Sequence, residues 1–240
     1  MRALYLVLAL LLVTPAATAG NHAKSNAASI AIIGTGEVGS ALGVSWGRLG
    51  HPIIYGSRNP DSDKVRELVA RSGNARAVSS TEAAQQADIV VMATPFKAAL
   101  ELIPRMGSLD GKILIDPMNA LTFDNERQRV GIYSELVAEQ VQALAKGARV
   151  IKALSLTNAR NMNPDRKFPE PISVPLAGDD PDAKAVVIQL VEELGLDATD
   201  VGALYNARYL EAMAPLYVYM NAFHRSPGGF EYHFTAAPID

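Results

Sequence analysis

The chain has 240 residues, 49% of them hydrophobic. Compact domains run to roughly 100–200 residues, so this is one sizeable α/β domain with a small appendage and not two large domains. Its 22 basic and 25 acidic residues leave a net charge of -3 and no basic block that could neutralise a run of phosphates, which argues against a nucleic-acid partner. Cysteine is absent, which excludes disulfides, thiolate metal sites, cysteine nucleophiles and a cysteine-linked lipid anchor, and any redox chemistry must come from a bound cofactor.

Residues 1–19 differ in kind from the rest. Arg2 is followed by an apolar stretch from Ala3 to Val13 and then by Ala17-Thr18-Ala19, the small-x-small pattern read by a signal peptidase. A membrane anchor would need about 20 apolar residues, and a start read too far upstream would not place all three regions in order. The expectation is a signal peptide cleaved after Ala19, a periplasmic or secreted protein, and no membrane span after processing. No twin-arginine pair is present, so export would be of the unfolded chain without cofactor. Residues 20–28 read as a polar linker.

Ser29 to Ile33 is a short run rich in β-branched residues, expected as a buried parallel strand. Gly34 to Gly39 breaks it and opens a helix to about Leu49. Pro52 to Tyr55, Ala75 to Val78, Ile89 to Ala93, Ile113 to Ile115 and Arg149 to Leu154 read as further strands. Helices are expected at Asp61–Arg71, Thr81–Gln86, Lys97–Pro104 and Ser134–Ala145. Strand and helix in alternation predict a Rossmann-like, doubly wound, mostly parallel α/β sheet over residues 29–202. A βαβ-like stretch ends it. Ser173 to Leu176 is a strand, and a helix then runs to Leu194 with Asp180 as N-cap, Pro181 at its first position and Gly195 as its stop. Asp179, Asp180 and Asp182 invite a metal, but capping explains them with fewer assumptions. Residues 203–240 are a last helix, about Ala203 to Phe223, and an aromatic tail, expected as a lid or homodimer element.

Gly34-Thr35-Gly36-Glu37-Val38-Gly39 is a G-x-G-x-x-G hexapeptide at the first strand-to-helix turn. The first glycine permits the tight turn, the second lets backbone approach a pyrophosphate, and the third allows helix to pack on strand. Unpaired helix N–H groups at the positive end of the dipole then receive the phosphates. The hexapeptide alone is weak evidence, but a strand before it and a helix after it supply the context that confirms a dinucleotide site. Glu37 is expected to point to solvent, leaving only its N–H toward the ligand.

After the second strand an NAD-selective domain places a carboxylate for the ribose 2′-hydroxyl, whereas an NADP-selective one places arginine. Here Tyr55-Gly56-Ser57-Arg58-Asn59 has no carboxylate. The Ser57 hydroxyl can donate to a 2′-phosphate, and the Arg58 guanidinium can pair with it and stack on adenine. NADP(H) is the expected cofactor.

Ile30–Gly39, Gly56-Ser57-Arg58-Asn59-Pro60, Ala93-Thr94-Pro95, Asp116-Pro117-Met118-Asn119 and Val150-Ile151-Lys152-Ala153 together resemble the coenzyme F420-dependent NADP oxidoreductase family. Leu176-Ala177-Gly178-Asp179-Asp180, Asp200-Val201-Gly202, Ala207–Ala212 and Gly228-Gly229-Phe230 extend the resemblance over nearly all of the mature chain. It implies an NADP-dependent oxidoreductase in which hydride passes directly between the nicotinamide and a deazaflavin (F420), flavin or similar flat acceptor, a step that needs positioning more than an acid or base. By that resemblance Thr35 to Val38, Ser57, Arg58 and Asn59 bind NADP, while Thr94, Pro95, Phe96, Asn119 and Ala153 line the nicotinamide half. No catalytic side chain and no metal ligand is implied. Ser155 and Ser62 stand where the family often has asparagine and a basic residue. The same fold unit serves membrane metalloreductases, so the acceptor is less specified than the donor. Lys152 as proton donor, and His224 and His233 as substrate contacts, are weaker readings beside plain structural roles; His51 and Trp46 read as structural.

Overall fold

The structure, a computed structural model, describes residues 27–134, 136–224 and 229–235. Residues 1–19, expected to be a signal peptide, most of the expected linker and the end of the tail lie outside these residues.

In chain order the elements are β1 (Ile30–Ile33), α1 (Glu37–Arg48), β2 (Ile53–Gly56), α2 (Asp63–Arg71), β3 (Ala75–Val78), α3 (Ser80–Gln86), β4 (Ile89–Met92), α4 (Phe96–Leu102) and β5 (Ile113–Asp116). A hairpin of β6 (Leu121–Asp124) and β7 (Arg129–Ile132) follows, then α5 (Val137–Leu144), β8 (Arg149–Lys152), β9 (Ser173–Gly178), α6 (Pro181–Glu192), β10 (Asp197–Asp200) and α7 (Ala207–Ala222). The main sheet has eight strands in the order β10-β9-β8-β5-β4-β1-β2-β3. From β3 to β8 every pairing is parallel, β9 runs antiparallel to β8, and β10 is parallel to β9.

The central strands are short apolar runs buried at every position because helices cover both faces. Alternate side chains serve opposite cores. Ile30 and Ile32 pack with Leu42 and Trp46 of α1 and with Val187 and Leu190 of α6. Ala31 and Ile33 face Ala83 of α3, Phe96 of α4, Val141 of α5 and Leu210, Ala214 and Tyr217 of α7. The last helix therefore belongs to the same core as the sheet, and only its outer side is free to meet anything else. Among the described residues no helix is long and apolar enough to cross a membrane.

Local signals act as the sequence suggests. Asp180 caps α6 by accepting from the Ala183 N–H at 2.7 Å, and Asp179 accepts from the Leu204 N–H at 2.9 Å. Two of the three carboxylates of the would-be metal set thus serve the backbone. Trp46 is fully buried and donates to the Leu190 carbonyl at 2.9 Å, while His51 meets Glu193 at 2.8 Å. Three features depart from the expected element list: the β6–β7 hairpin, the edge strand β10 and the reversed direction of β9. The twenty residues Ala153–Ile172 carry no α-helical crossover. The chain consequently re-enters the sheet from the other end.

Candidate functional site

The carboxyl ends of β1, β2, β4, β5 and β8 converge on one edge of the sheet. Strand order reverses there between β1 and β4, which opens a crevice of the kind that binds ligands in doubly wound folds. Gly34 leaves β1 at φ +111°, and a Cβ there would overlap the Ala93 carbonyl of the neighbouring strand exit. A Cβ on Gly39 would overlap the Gly34 carbonyl oxygen, so α1 can sit this close to β1 only with glycine there. Gly36 is different, because nothing lies within 4 Å of a Cβ built on it. That space is open directly above the first turn of α1, whose N-cap Gly36 has no side chain to satisfy the free N–H groups. Glu37 is exposed and leaves them clear.

At the end of β2 the chain winds tightly. The Asn59 N–H donates to Ser57 Oγ at 3.2 Å, and Ser62 Oγ donates to the Asn59 carbonyl at 3.0 Å. Ser57 Oγ accepts that bond and keeps its own proton to donate outward. Arg58, exposed at the apex, joins none of the ion pairs among the described residues. Ser62 spends its hydroxyl on the turn and lies at the start of α2, where a basic side chain would add to the Arg58 charge.

On the other side of Gly36 a cleft of about 360 Å³ is walled by Val38, Met92 to Pro95 and Pro117 to Asn119. Among the described residues its only ionisable wall residue is Glu37. Three buried oxygens on the strand exits here, Thr94 Oγ1, Asn119 Oδ1 and Ser155 Oγ, have no hydrogen-bond partner among the described residues. Buried polar atoms are nearly always paired, so these three oxygens stand open to a further hydrogen-bond partner. The Asn119 amide is pinned by donation from Nδ2 to the Ser155 carbonyl at 2.7 Å, which fixes the direction of its free oxygen. Phe96 and Ala153 stand behind this wall. Phe96 is 2% exposed and packs in the core against Tyr133, and Ala153 is fully buried, so both set the position of the lining without offering surface. A larger concavity of about 690 Å³ lies elsewhere, between the flank of α1 and residues 158–165. It touches the glycine loop only at Glu37 and none of the three unpartnered oxygens.

Lys152 does not reach the cleft. It is fully buried, with Nζ 3.2 Å from Asp116 Oδ2 and 3.5 Å from Glu211 Oε1, and it donates to the Met118 carbonyl. Burial raises the Asp116 carboxyl against the pull of Lys152. Glu211, from α7, also accepts from the Val137 and Ala138 N–H groups at 2.8 and 2.9 Å. It thereby caps α5, whose own N-cap residue Leu136 has no side-chain acceptor and sits at φ 64°. The triad locks α5 and α7 to the ends of β5 and β8, one residue before the cleft wall begins at Pro117.

A second polar group fastens the tail. Glu231 Oε1 accepts from Tyr217 at 2.8 Å and from the Asn161 amide, while Glu231 Oε2, Asn161 Oδ1 and Thr157 Oγ1 have no partner among the described residues. Burial pushes the Glu231 carboxyl above its usual 4.5. The Thr157 hydroxyl or a proton on Oε2 can supply a donor to this acceptor-rich cluster. With its carboxyl raised in the folded state, Glu231 contributes stability that is fully present below its usual 4.5 and is lost as pH rises from there through the folded-state value. Glu231→Gln carries a permanent donor and should flatten that slope in urea titrations across pH; an unchanged slope would show that another group is responsible. His233 Nδ1 donates to the Pro171 carbonyl at 2.9 Å, its Nε2 meets the Thr235 hydroxyl at 2.9 Å, and His224 is exposed. Neither lines the cleft.

The comparisons with known proteins agree with this geometry. Residues 29–120, from β1 to the cleft wall, match the model of the family described as NADP oxidoreductase, coenzyme F420-dependent. An F420-dependent NADP reductase of Methanocaldococcus jannaschii is 28% identical over 213 residues, covering 83% of this chain and 95% of that protein. The chain resembles this family over most of its length. A crystal structure from Arthrobacter sp. FB24, assigned as an F420-dependent NADP-reductase, superposes with a TM-score of 0.76 at 28% identity over 88% of this chain and 100% of that one. The metalloreductase STEAP3 of Rattus norvegicus is 25% identical over 187 residues, which make up 36% of that larger protein. By these likenesses the chain is an NADP-dependent oxidoreductase.

Proposed function

We propose that NADP(H) lies along the carboxyl edge of the sheet and that hydride passes between its nicotinamide and a flat acceptor of the deazaflavin or flavin class. The observation that carries this reading is the continuity of the free α1 terminus at Gly36 with a cleft lined by Thr94 and Asn119, whose side-chain oxygens are unpartnered among the described residues. The α1 N–H groups would hold the pyrophosphate, and Ser57 with Arg58 the 2′-phosphate. Thr94, Asn119 and Ser155 would orient the nicotinamide amide. The cofactor supplies the hydride. The protein's part is to align two rings and exclude water, for which a wall of Val38, Met92, Pro95 and Pro117 is suited and a general acid is not required.

Arg58→Glu is expected to weaken NADPH binding by roughly 2–4 kcal/mol, through loss of a charge-assisted pair and gain of repulsion, and to leave NADH nearly unaffected. Equal losses in a fluorescence titration would show that Arg58 does not read the phosphate. Hydride transfer from NADPH to F420, FMN, FAD and ferric chelates, measured side by side, tests the acceptor. Turnover with the deazaflavin or free flavins supports the proposal. Reduction confined to ferric chelates favours a metalloreductase-like role, and NADPH binding without any turnover favours a carrier or scaffold.

The amino-terminal pattern carries a proposal about location: export, with cleavage after Ala19. Mature protein released by osmotic shock and beginning at Gly20 is the expected outcome, while unprocessed cytoplasmic protein would contradict it.

A further inference from the structure

The walls of the cleft beside Gly36 are not equally supported. Val38 stands on α1, and Met92 to Pro95 run straight from β4 into α4. Pro117 to Asn119 instead leave β5 as irregular backbone and lead into the β6–β7 hairpin, whose strands are half exposed. Regular structure does not hold this third wall, and two buried charges do. Asp116 Oδ1 accepts from the Met118 N–H at 2.8 Å, and Lys152 Nζ donates to the Met118 carbonyl, so both main-chain polar groups of Met118 are gripped by charge-assisted bonds. Asp116 Oδ2 and Lys152 Nζ lie 3.2 Å apart, and the Ala153 N–H bonds the Asp116 carbonyl at 3.2 Å, so the two jaws of the clamp brace each other. Met118 fixes where Asn119 begins, while the Ser155 carbonyl holds its side-chain amide at 2.7 Å. The unpartnered Asn119 Oδ1 is thus aimed from two directions. Stability alone does not explain the arrangement, because a buried ionic group is often no more stabilising than apolar residues of the same volume. Apolar side chains could not grip an N–H and a carbonyl.

We propose that Asp116 and Lys152 are positioning residues: by clamping Met118 they hold the Asn119 side-chain oxygen where it fixes the nicotinamide amide, and so set the angle of the ring. This rests on the placement of NADP(H) proposed above. Hydride transfer needs the reacting atoms about 3–3.5 Å apart, and a misplacement of about 1 Å costs on the order of a hundred-fold in rate. A loose wall is therefore felt in the alignment of the ring before it is felt in affinity, which the pyrophosphate and 2′-phosphate contacts at the far end of the dinucleotide dominate. Glu211 has a different part. Its bonds go to Lys152 and to the Val137 and Ala138 N–H groups, so it serves the packing of α5 and α7 and provides a control within the same triad.

Reduced nicotinamide fluoresces more strongly when held still and shielded than when free in water, so the emission gain of NADPH on binding reads the state of this ring without any acceptor. The test uses the full chain, well below the melting temperature of each variant. Asp116→Ala leaves Lys152 and Glu211 as a balanced pair, and it decides the matter alone if Lys152→Met does not fold. In both variants calorimetry should give an NADPH dissociation constant within about three-fold of wild type, because the phosphate contacts remain. Their emission gain should nevertheless fall by at least about half, as the ring loses its fixed wall. Asp116→Asn keeps an oxygen for the Met118 N–H and should restore the gain, and Glu211→Gln should keep it while lowering the melting temperature. A full emission gain in Asp116→Ala overturns the proposal. So does an equal loss in Glu211→Gln, which would make the order of the ring follow the packing of α7. Wild-type protein that binds NADPH with no emission gain also overturns it, while leaving the phosphate sites standing. Wild-type protein that takes up no NADPH overturns the cofactor placement and this proposal with it.

Discussion

Replacing Lys152 with methionine is expected to destabilise the protein by about 3–5 kcal/mol, because removing one member of a buried ionic group leaves the others uncompensated. Methionine fills most of the lysine volume, so the loss is electrostatic and not a cavity effect. Asp116 and Glu211 would face each other in the core without their shared cation, and Asp116 is already raised by burial and by the Glu211 charge. Without Lys152 its proton affinity rises further, so the variant should recover stability as pH falls from about 8 to about 5 and protonation relieves the repulsion. Thermal melts at both ends of that range give the result. A loss independent of pH would mean that the triad matters for packing alone. NADPH binding by the surviving folded fraction should be unchanged, which separates this structural role from the proton-donor reading that a lysine at a strand end invites.

That triad also shows where sequence reading stops. Lys152 stood out at the end of its strand, but its partners come from β5 and from α7, and nothing in the spacing of residues 116, 152 and 211 announces that they meet. The glycine loop was legible because a strand exit, a phosphate turn and a helix start are all local, and Gly34 and Gly39 each answer to a contact within that turn or the adjacent strand. The β6–β7 hairpin was not, since Leu121–Asp124 and Arg129–Ile132 are half exposed and lack a clean alternation, and their turn, Asn125 to Gln128, lacks glycine and proline. β10 reads Asp-Ala-Thr-Asp and becomes a strand only because β9 offers it an edge. Strand direction is not written in composition, and so β9 could be placed but not oriented. Ser155, noted only as a departure from the family pattern, acquires meaning from its unpartnered hydroxyl beside Asn119. The physical division is between features set within a turn and features set by distant segments meeting.

Gly36→Val should separate binding from folding. Gly36 has ordinary extended dihedrals, φ -77° and ψ -167°, and open space where a side chain would go, so valine strains neither the backbone nor a neighbour. Its branches would instead fill the place of the pyrophosphate. Binding of NADPH and NADH should both fall by at least about 4 kcal/mol, roughly a thousand-fold, while the melting temperature of the nucleotide-free protein stays within a few degrees of wild type. Gly39→Ala is the counterpart. Its methyl group meets the Gly34 carbonyl, so the glycine loop must shift away from α1, and the free protein should melt lower even before nucleotide is added. Calorimetry on both variants with and without NADPH distinguishes the two glycines. Retained micromolar affinity in Gly36→Val would remove the glycine loop from the binding site and, with it, the alignment of cofactor and acceptor along this edge of the sheet.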